Sequence, residues 1–135
     1  MRKFSFLDEG KQWLMGLLQR KGFYDIRETS QYAHWDIEAK YKGEQWIFEL
    51  KNRNFSSLKY GDAILEVEKV RHMTETPYRA VFVNFWTDKW CMIDVRTVPY
   101  EVEYRNHQKT TRFGDTRVIR TAQATWRDIK KLDYE

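Results

Sequence analysis

Two runs near the middle of the chain, His34 to Tyr41 and Glu44 to Lys51, alternate with a period of two and are separated only by Lys42 and Gly43. Such alternation broken by a short Gly-containing step predicts a β-hairpin, and a two-residue turn leaves its register no freedom. Trp35 then faces Leu50, Ile37 faces Phe48 and Ala39 faces Trp46, so every pair on one face is apolar. On the other face Asp36 falls directly across from Glu49, with Lys51 two positions along the strand and His34 opposite it.

Like charges facing each other across a strand pair destabilise it by up to about 1 kcal/mol. A hairpin built this way calls for a compensating cation, and the candidates are Lys51 and a divalent metal. Mg²⁺ is commonly held by one or two carboxylates, waters and phosphate oxygens, and such an ion stabilises a phosphodiester transition state while acidifying a bound water. A lysine at i+2 lies on the same strand face, roughly 6 to 7 Å along the chain, where it can orient that water or hold charge on the phosphate.

Asp36, followed after twelve intervening residues by Glu49-Leu50-Lys51, resembles the D…(D/E)xK signature of the PD-(D/E)XK, or restriction-endonuclease-like, nuclease superfamily. A helix before the hairpin, a Lys21-Gly22-Phe23 step out of it and another helix afterwards are similar to the αβββαβ core of archaeal Holliday-junction resolvases and related small nucleases. The resemblance covers about residues 5 to 86; Trp35 stands where the family has a proline.

The resemblance implies an α/β fold with a central mixed sheet flanked by helices, here with a C-terminal β-hairpin extension. It implies a metal-dependent nuclease acting on DNA, with Asp36, Glu49 and Lys51 as catalytic residues and Mg²⁺ or Mn²⁺ held by Asp36, Glu49 and the backbone carbonyl of Leu50. Many members complete the metal site with an acid on the first helix. Glu9 is the candidate here and Asp8 its rival, although an acid in a first helical turn is also favoured by the helix dipole. Lys69 falls where relatives often place a polar residue near the scissile phosphate, against the reading of a solvated helix charge. Related resolvases work as dimers, and the aromatic surplus suits a homodimer interface.

Other charges on the hairpin have plainer readings. Glu38 faces Ile47 as a surface charge, and His34 is a strand-surface histidine unless it pairs with phosphate or assists the water.

The chain has 135 residues, enough for one domain with a real core. We expect a single nuclease-like domain over residues 1–135, with its core at about 5–95 and the extension at about 96–135. A hydrophobic fraction of 41%, with six tryptophans, eight tyrosines and eight phenylalanines, excludes a disordered chain. The formal charge of +4 favours polyanionic partners. Arg105, Lys109, Arg112 and Arg117 form a basic stretch suited either to clamping a nucleic-acid backbone or to a solvated hairpin. Cys91 is the only cysteine, so an intrachain disulfide and a CxxC zinc pair are excluded and a reduced, cytoplasmic setting is expected, in a bacterial or phage-infected cell. The opening residues do not read as a signal peptide, and no apolar run is long enough to span a membrane.

Leu7, Leu14, Leu17 and Leu18 predict an amphipathic helix over 7–20, followed by a strand around Phe23 to Thr29. Tyr60, Ala63, Ile64, Val67 and Val70 form one helical stripe and predict a second helix ending at Thr76-Pro77. Arg79 to Trp86 reads as a doubly covered strand, with Trp90 to Val95 returning antiparallel to it. Tyr100, Val102 and Tyr104 predict another strand, Val118-Ile119 a short one, and the residues from Trp126 onward a brief helix. The alternative to a nuclease, from a different functional class, is a non-catalytic nucleic-acid-binding or assembly protein that retains the nuclease fold.

Overall fold

The computed structural model describes residues 6–30, 33–110 and 113–127. Its elements run α1 (Phe6–Arg20), β1 (Tyr24–Glu28), β2 (Ile37–Tyr41), β3 (Glu44–Asn52), β4 (Ala63–Glu66), α2 (Val67–Thr74), β5 (Arg79–Phe85), β6 (Trp90–Asp94), β7 (Glu101–Thr110) and β8 (Thr116–Trp126). A five-stranded sheet has the order β1-β2-β3-β5-β6, with β3 and β5 parallel and its other neighbours antiparallel. A second sheet of three antiparallel strands has the order β4-β8-β7. This is the mixed α/β architecture the sequence predicts, including its C-terminal hairpin. Among the described residues no helix is long and apolar enough to cross a membrane.

The hairpin has the expected register, with Ile37 opposite Phe48 and Ala39 opposite Trp46. Lys42 and Gly43 both have positive φ, at 50° and 81°, as a two-residue turn of the hand that matches strand twist requires. The alternation sorts β3 between two cores. Phe48 and Leu50 pack with Leu14 and Leu18 of α1, with Val81, Val83 and Phe85 of β5 beside them. Ile47 joins Phe82, Val70 and Met73 of α2, and Leu65, Ala124 and Trp126 of the second sheet.

Helix α1 ends where its sequence says it should. Gly22 takes φ +98°, Phe23 N–H donates to the Leu18 carbonyl at 2.9 Å and Gly22 N–H to Gln19 at 3.1 Å, a Schellman closure that turns the chain into β1. Near its other end the helix runs close to β3: a Cβ on Gly10 would lie 3.0 Å from the Asn52 side chain.

Three local expectations are overturned. Residues 63–66 are strand β4 rather than part of the second helix, because they pair with Gln123 to Trp126 of β8; α2 begins only at Val67. Strand β8 is eleven residues long where only Val118-Ile119 was expected, and Trp126 closes that strand instead of opening a helix; residues 128–135, the rest of that expected helix, lie outside the described residues. The hairpin also opens at its outer end. Residues 33–36 form bends, and Trp35 packs on the core shared with α2 instead of facing Leu50, which lies in the other core. Its indole N–H donates to Glu38 at 3.0 Å.

Candidate active site

Strand β3 carries Glu49 and Lys51 on the face covered by α2, beside Phe82 and Asn84 of the parallel neighbour β5. Asp36 reaches the same stretch from just before β2. Its backbone N–H donates to the Phe48 carbonyl, and its carboxylate Oδ2 accepts the Leu50 N–H, both at 2.8 Å. Asp36 is thus pinned along β3 by main chain, at the level of the Glu49-Leu50-Lys51 segment.

Glu49 is only 3% exposed, and its Oε1 accepts from the Lys69 ammonium of α2 at 2.9 Å. Burial, and then the negative charge of Asp36, push its carboxyl up to about 7, against the opposing pull of Lys69 and Lys51. Burial and the neighbouring Lys69 ammonium draw Lys51 below its ordinary value, outweighing the attraction of Glu49. Lys69 shifts the other way: burial lowers it, but the charge of Glu49 and hydrogen bonds with Glu49 and Lys51 carry it above its ordinary value. Of the two amines, Lys51 is the one that more readily gives up a proton. Two carboxylates and two amines therefore share one electrostatic neighbourhood on β3, the Asp36 turn and α2.

Asp36 and Glu49 are the carboxylates here that could hold a metal, and the Leu50 carbonyl lies on the same segment. Among the described residues no cluster of three or more His, Cys, Asp or Glu side chains forms a ligand cage. A pair of hard carboxylates, one of them buried and raised by the other, still fits Mg²⁺ or Mn²⁺, whose remaining positions are usually filled by water and phosphate. A cation would have to compete with Lys69 for Glu49.

The remaining predicted residues are dispersed. Glu9 lies in α1 one residue before Gly10, and its side chain is outside the described residues, as is that of Lys109; Arg112 is outside them altogether. Arg105 is not a free phosphate ligand, since its guanidinium is within 3.0 Å of Asp62 and 2.9 Å of Glu103. Arg117 is exposed on β8. Glu38 pairs with Arg27 at 3.1 Å, and His34 stacks on His72 of α2 with ring centroids 3.7 Å apart.

Two residues outside the predicted catalytic and metal sets border the site, one of them, Arg53, in the polar stretch 52–57 that follows Lys51 where a phosphate backbone could pass. Arg53 continues the period-two spacing from Lys51, donating to Asn84 Oδ1 at 3.3 Å and to the Ile64 carbonyl at 2.6 Å. Asn84, in register with Lys51, is fully buried, and its Nδ2 has no hydrogen-bond partner among the described residues. The spacing could have flagged Arg53; Asn84 sits within an apolar run and gave no signal.

The structure is similar to that of Hjc, a Holliday junction resolvase from the archaeal hyperthermophile Archaeoglobus fulgidus, with a TM-score of 0.53 over 84% of this chain and 78% of that one, at 14% sequence identity. At that identity the likeness is one of fold, and the fold is nuclease-like. No protein-family model matches the chain. No curated protein matches it in sequence.

Proposed function

We propose that this protein is a metal-dependent nuclease of the PD-(D/E)XK type that hydrolyses DNA phosphodiester bonds, with residues 1–135 acting as one domain. The observation that carries the reading is the meeting of Asp36, Glu49 and Lys51 on a fold shared with a Holliday junction resolvase. Asp36, Glu49 and the Leu50 carbonyl would hold Mg²⁺ or Mn²⁺, with Glu9 from α1 as a further ligand. When bound, the ion supplies positive charge to the phosphate and acidifies a water.

The chain's own residues do the rest. Lys51, whose ammonium is drawn below its ordinary value by burial and by Lys69, orients the attacking water. Lys69 answers the Glu49 charge at 2.9 Å and, with an ion held by that carboxylate, would be available to the phosphate. The likeness to a Holliday junction resolvase supports branched DNA as the substrate, the aromatic surplus suits a homodimer, and Arg117 and Lys109 of the C-terminal hairpin, with Arg112 between them in sequence, would contact the backbone.

The test is a Mg²⁺ and Mn²⁺ titration with linear, branched and single-stranded DNA. Cleavage should require the ion and disappear in Asp36→Asn and Lys51→Ala proteins that retain the wild-type circular dichroism. A Lys51→Ala protein that cuts as fast as wild type rejects the mechanism.

One observation favours the non-catalytic alternative: Glu49 already has its charge met by Lys69. That reading predicts DNA binding with no ion requirement and no product from any DNA form.

A further inference from the structure

Next to the candidate site lies a cavity of about 470 Å³, and Lys51 belongs to both. Its size is within the roughly 300–1,000 Å³ of pockets that enclose small organic ligands, and far too small for a duplex. Arg53 lines it beside Lys51, and Phe55, Tyr60 and Trp86 contribute aromatic surface. Trp86 is buried, whereas Tyr60 is 58% exposed at the rim.

The segment presenting these rings is held at both ends. Ser57 donates to the Asp88 carboxylate through its backbone N–H at 2.8 Å and its hydroxyl at 2.6 Å, and the Phe55 carbonyl accepts from Thr87 N–H at 3.1 Å. Asp62 is tied to Arg105 at 3.0 Å. Between these anchors Phe55 and Tyr60 meet edge to face with centroids 5.1 Å apart, and the Lys59 ammonium lies 5.6 and 5.4 Å from the two rings. Single-stranded bases stack on exposed aromatic rings in positively charged grooves, and Tyr60, braced edge to face by Phe55, offers such a ring beside Lys51 and Arg53.

The polar lining fits the same occupant. Glu66 and Gln123 offer acceptors for an exocyclic amino group, and Asn106 and Gln123 offer amide donors and acceptors for a base edge. Asp62 also lines the cavity, but its charge is answered by Arg105.

We propose that this cavity binds one unpaired nucleotide of a DNA substrate, its base against Phe55 and Tyr60 and its phosphate toward Lys51 and Arg53. This deepens the nuclease reading and rests on it for one consequence: the substrate class is DNA with an unpaired nucleotide next to the scissile phosphate, as in a flap, an overhang or the opened centre of a branch. Fully paired duplex leaves the cavity empty.

The test separates binding from cleavage. Fluorescence anisotropy in EDTA compares a paired duplex, the same duplex with a short single-stranded flap, and that flap with an abasic nucleotide at the junction. Wild type should bind the flap about tenfold tighter than its abasic counterpart. Tyr60→Ala, which removes an exposed ring and leaves the core intact, should abolish that preference while leaving duplex binding unchanged; Asn106→Ala should reduce it. Equal affinity for the flap and its abasic form, a preference untouched by Tyr60→Ala, or no binding to any of the three overturns the proposal. Cleavage of the same DNAs with Mg²⁺ tests the nuclease reading separately. Base-dependent binding without cleavage retains the pocket and rejects the enzyme, and equal cleavage of the flap and its abasic form does the reverse.

Discussion

The Lys69 ammonium lies 2.9 Å from Glu49 Oε1, yet the lysine side chain is 33% exposed and the glutamate 3%. The Lys69 charge is partly solvated where it stands, whereas that of Glu49 has almost no contact with water to fall back on. Removing one partner of a buried ion pair costs roughly 3 to 5 kcal/mol when the other charge stays uncompensated. The partial exposure of Lys69 puts Lys69→Met at the lower end, about 3 kcal/mol, in metal-free protein at pH 8. At pH 5, where Glu49 binds its proton, the loss should be far smaller. Urea denaturation at the two pH values decides it, and an equal loss at both contradicts the pairing.

Glu49 also gives the metal-free protein a pH dependence of definite sign. Its carboxyl titrates at about 7 in the folded state against 4.5 ordinarily, so between those values the folded protein holds a proton that the unfolded chain has released. Stability therefore falls as pH rises through this window and levels off above it. At about 1.4 kcal/mol per unit the full effect is on the order of 3 kcal/mol. A Glu49→Gln protein should lose this contribution and show a flatter profile from pH 4.5 to 8 in urea titrations. Mg²⁺ should raise the midpoint of wild type more at pH 8 than at pH 6, because the ion competes with that proton.

Local periodicity made the centre of the fold legible. The alternation of Ile37 to Tyr41 with Glu44 to Lys51, fixed by Lys42-Gly43, specifies β2, β3 and their register without outside information. Helix α1 was equally plain, since its apolar face and Gly22 stop are both local. Strand β4 was not: Ala63, Ile64, Val67 and Val70 fall on one helical face, and only pairing with Thr125 and Ala124 of β8, about sixty residues away, selects the extended form. Strand β8 itself is rich in Thr, Ala and Arg and lacks a clear hydrophobic pattern of its own. Within the candidate site, Asp36, Glu49 and Lys51 were visible as a spacing, but the partner of Glu49 comes from α2, and no spacing along the hairpin reveals a tertiary contact.

Asp36 has a structural task that can be separated from its chemical one. Its Oδ2 accepts the Leu50 N–H at 2.8 Å, a charge-assisted bond that an asparagine carbonyl can replace with a neutral one. Asp36→Asn should therefore stay within about 1 kcal/mol of wild type, whereas Asp36→Ala leaves the amide unanswered and should cost roughly 1 to 3 kcal/mol. Both substitutions remove a negative charge beside Glu49, so the Glu49 carboxyl should titrate lower in each, read from its side-chain carbon shift by NMR. Cleavage should be lost in both. A cleaving Asp36→Asn protein would show that this carboxylate is an anchor for β3 and nothing more.

The turn that carries Asp36 is fastened to the helix that carries Lys69 by a stack of two imidazoles. His34 and His72 lie with ring centroids 3.7 Å apart and planes 7° from parallel, and His72 sits three residues beyond Lys69 on α2. Residues 33–36 have left the β2 ladder, and the turn is positioned by this contact, the Trp35 indole bond to Glu38, the Asp36 bonds to β3, the bonds of the Thr29 N–H and hydroxyl to the Asp36 and Trp35 carbonyls, and the bond of Ala33 N–H to the Ser30 carbonyl. Aromatic pairs are worth about 0.5 to 1.5 kcal/mol beyond burial, and the exposure of His34 places this one at the low end. His34→Ala should lower stability by about 0.5 kcal/mol and speed hydrogen exchange at Leu50, whose N–H reports on the Asp36 carboxylate, more than at Phe82 in the middle of β5. His34→Phe keeps a flat ring for the stack and should restore slow exchange at Leu50. Unchanged exchange in the alanine variant, or no rescue by phenylalanine, would mean that the hydrogen bonds of Thr29, Ala33, Trp35 and Asp36 hold the turn in place without the stack.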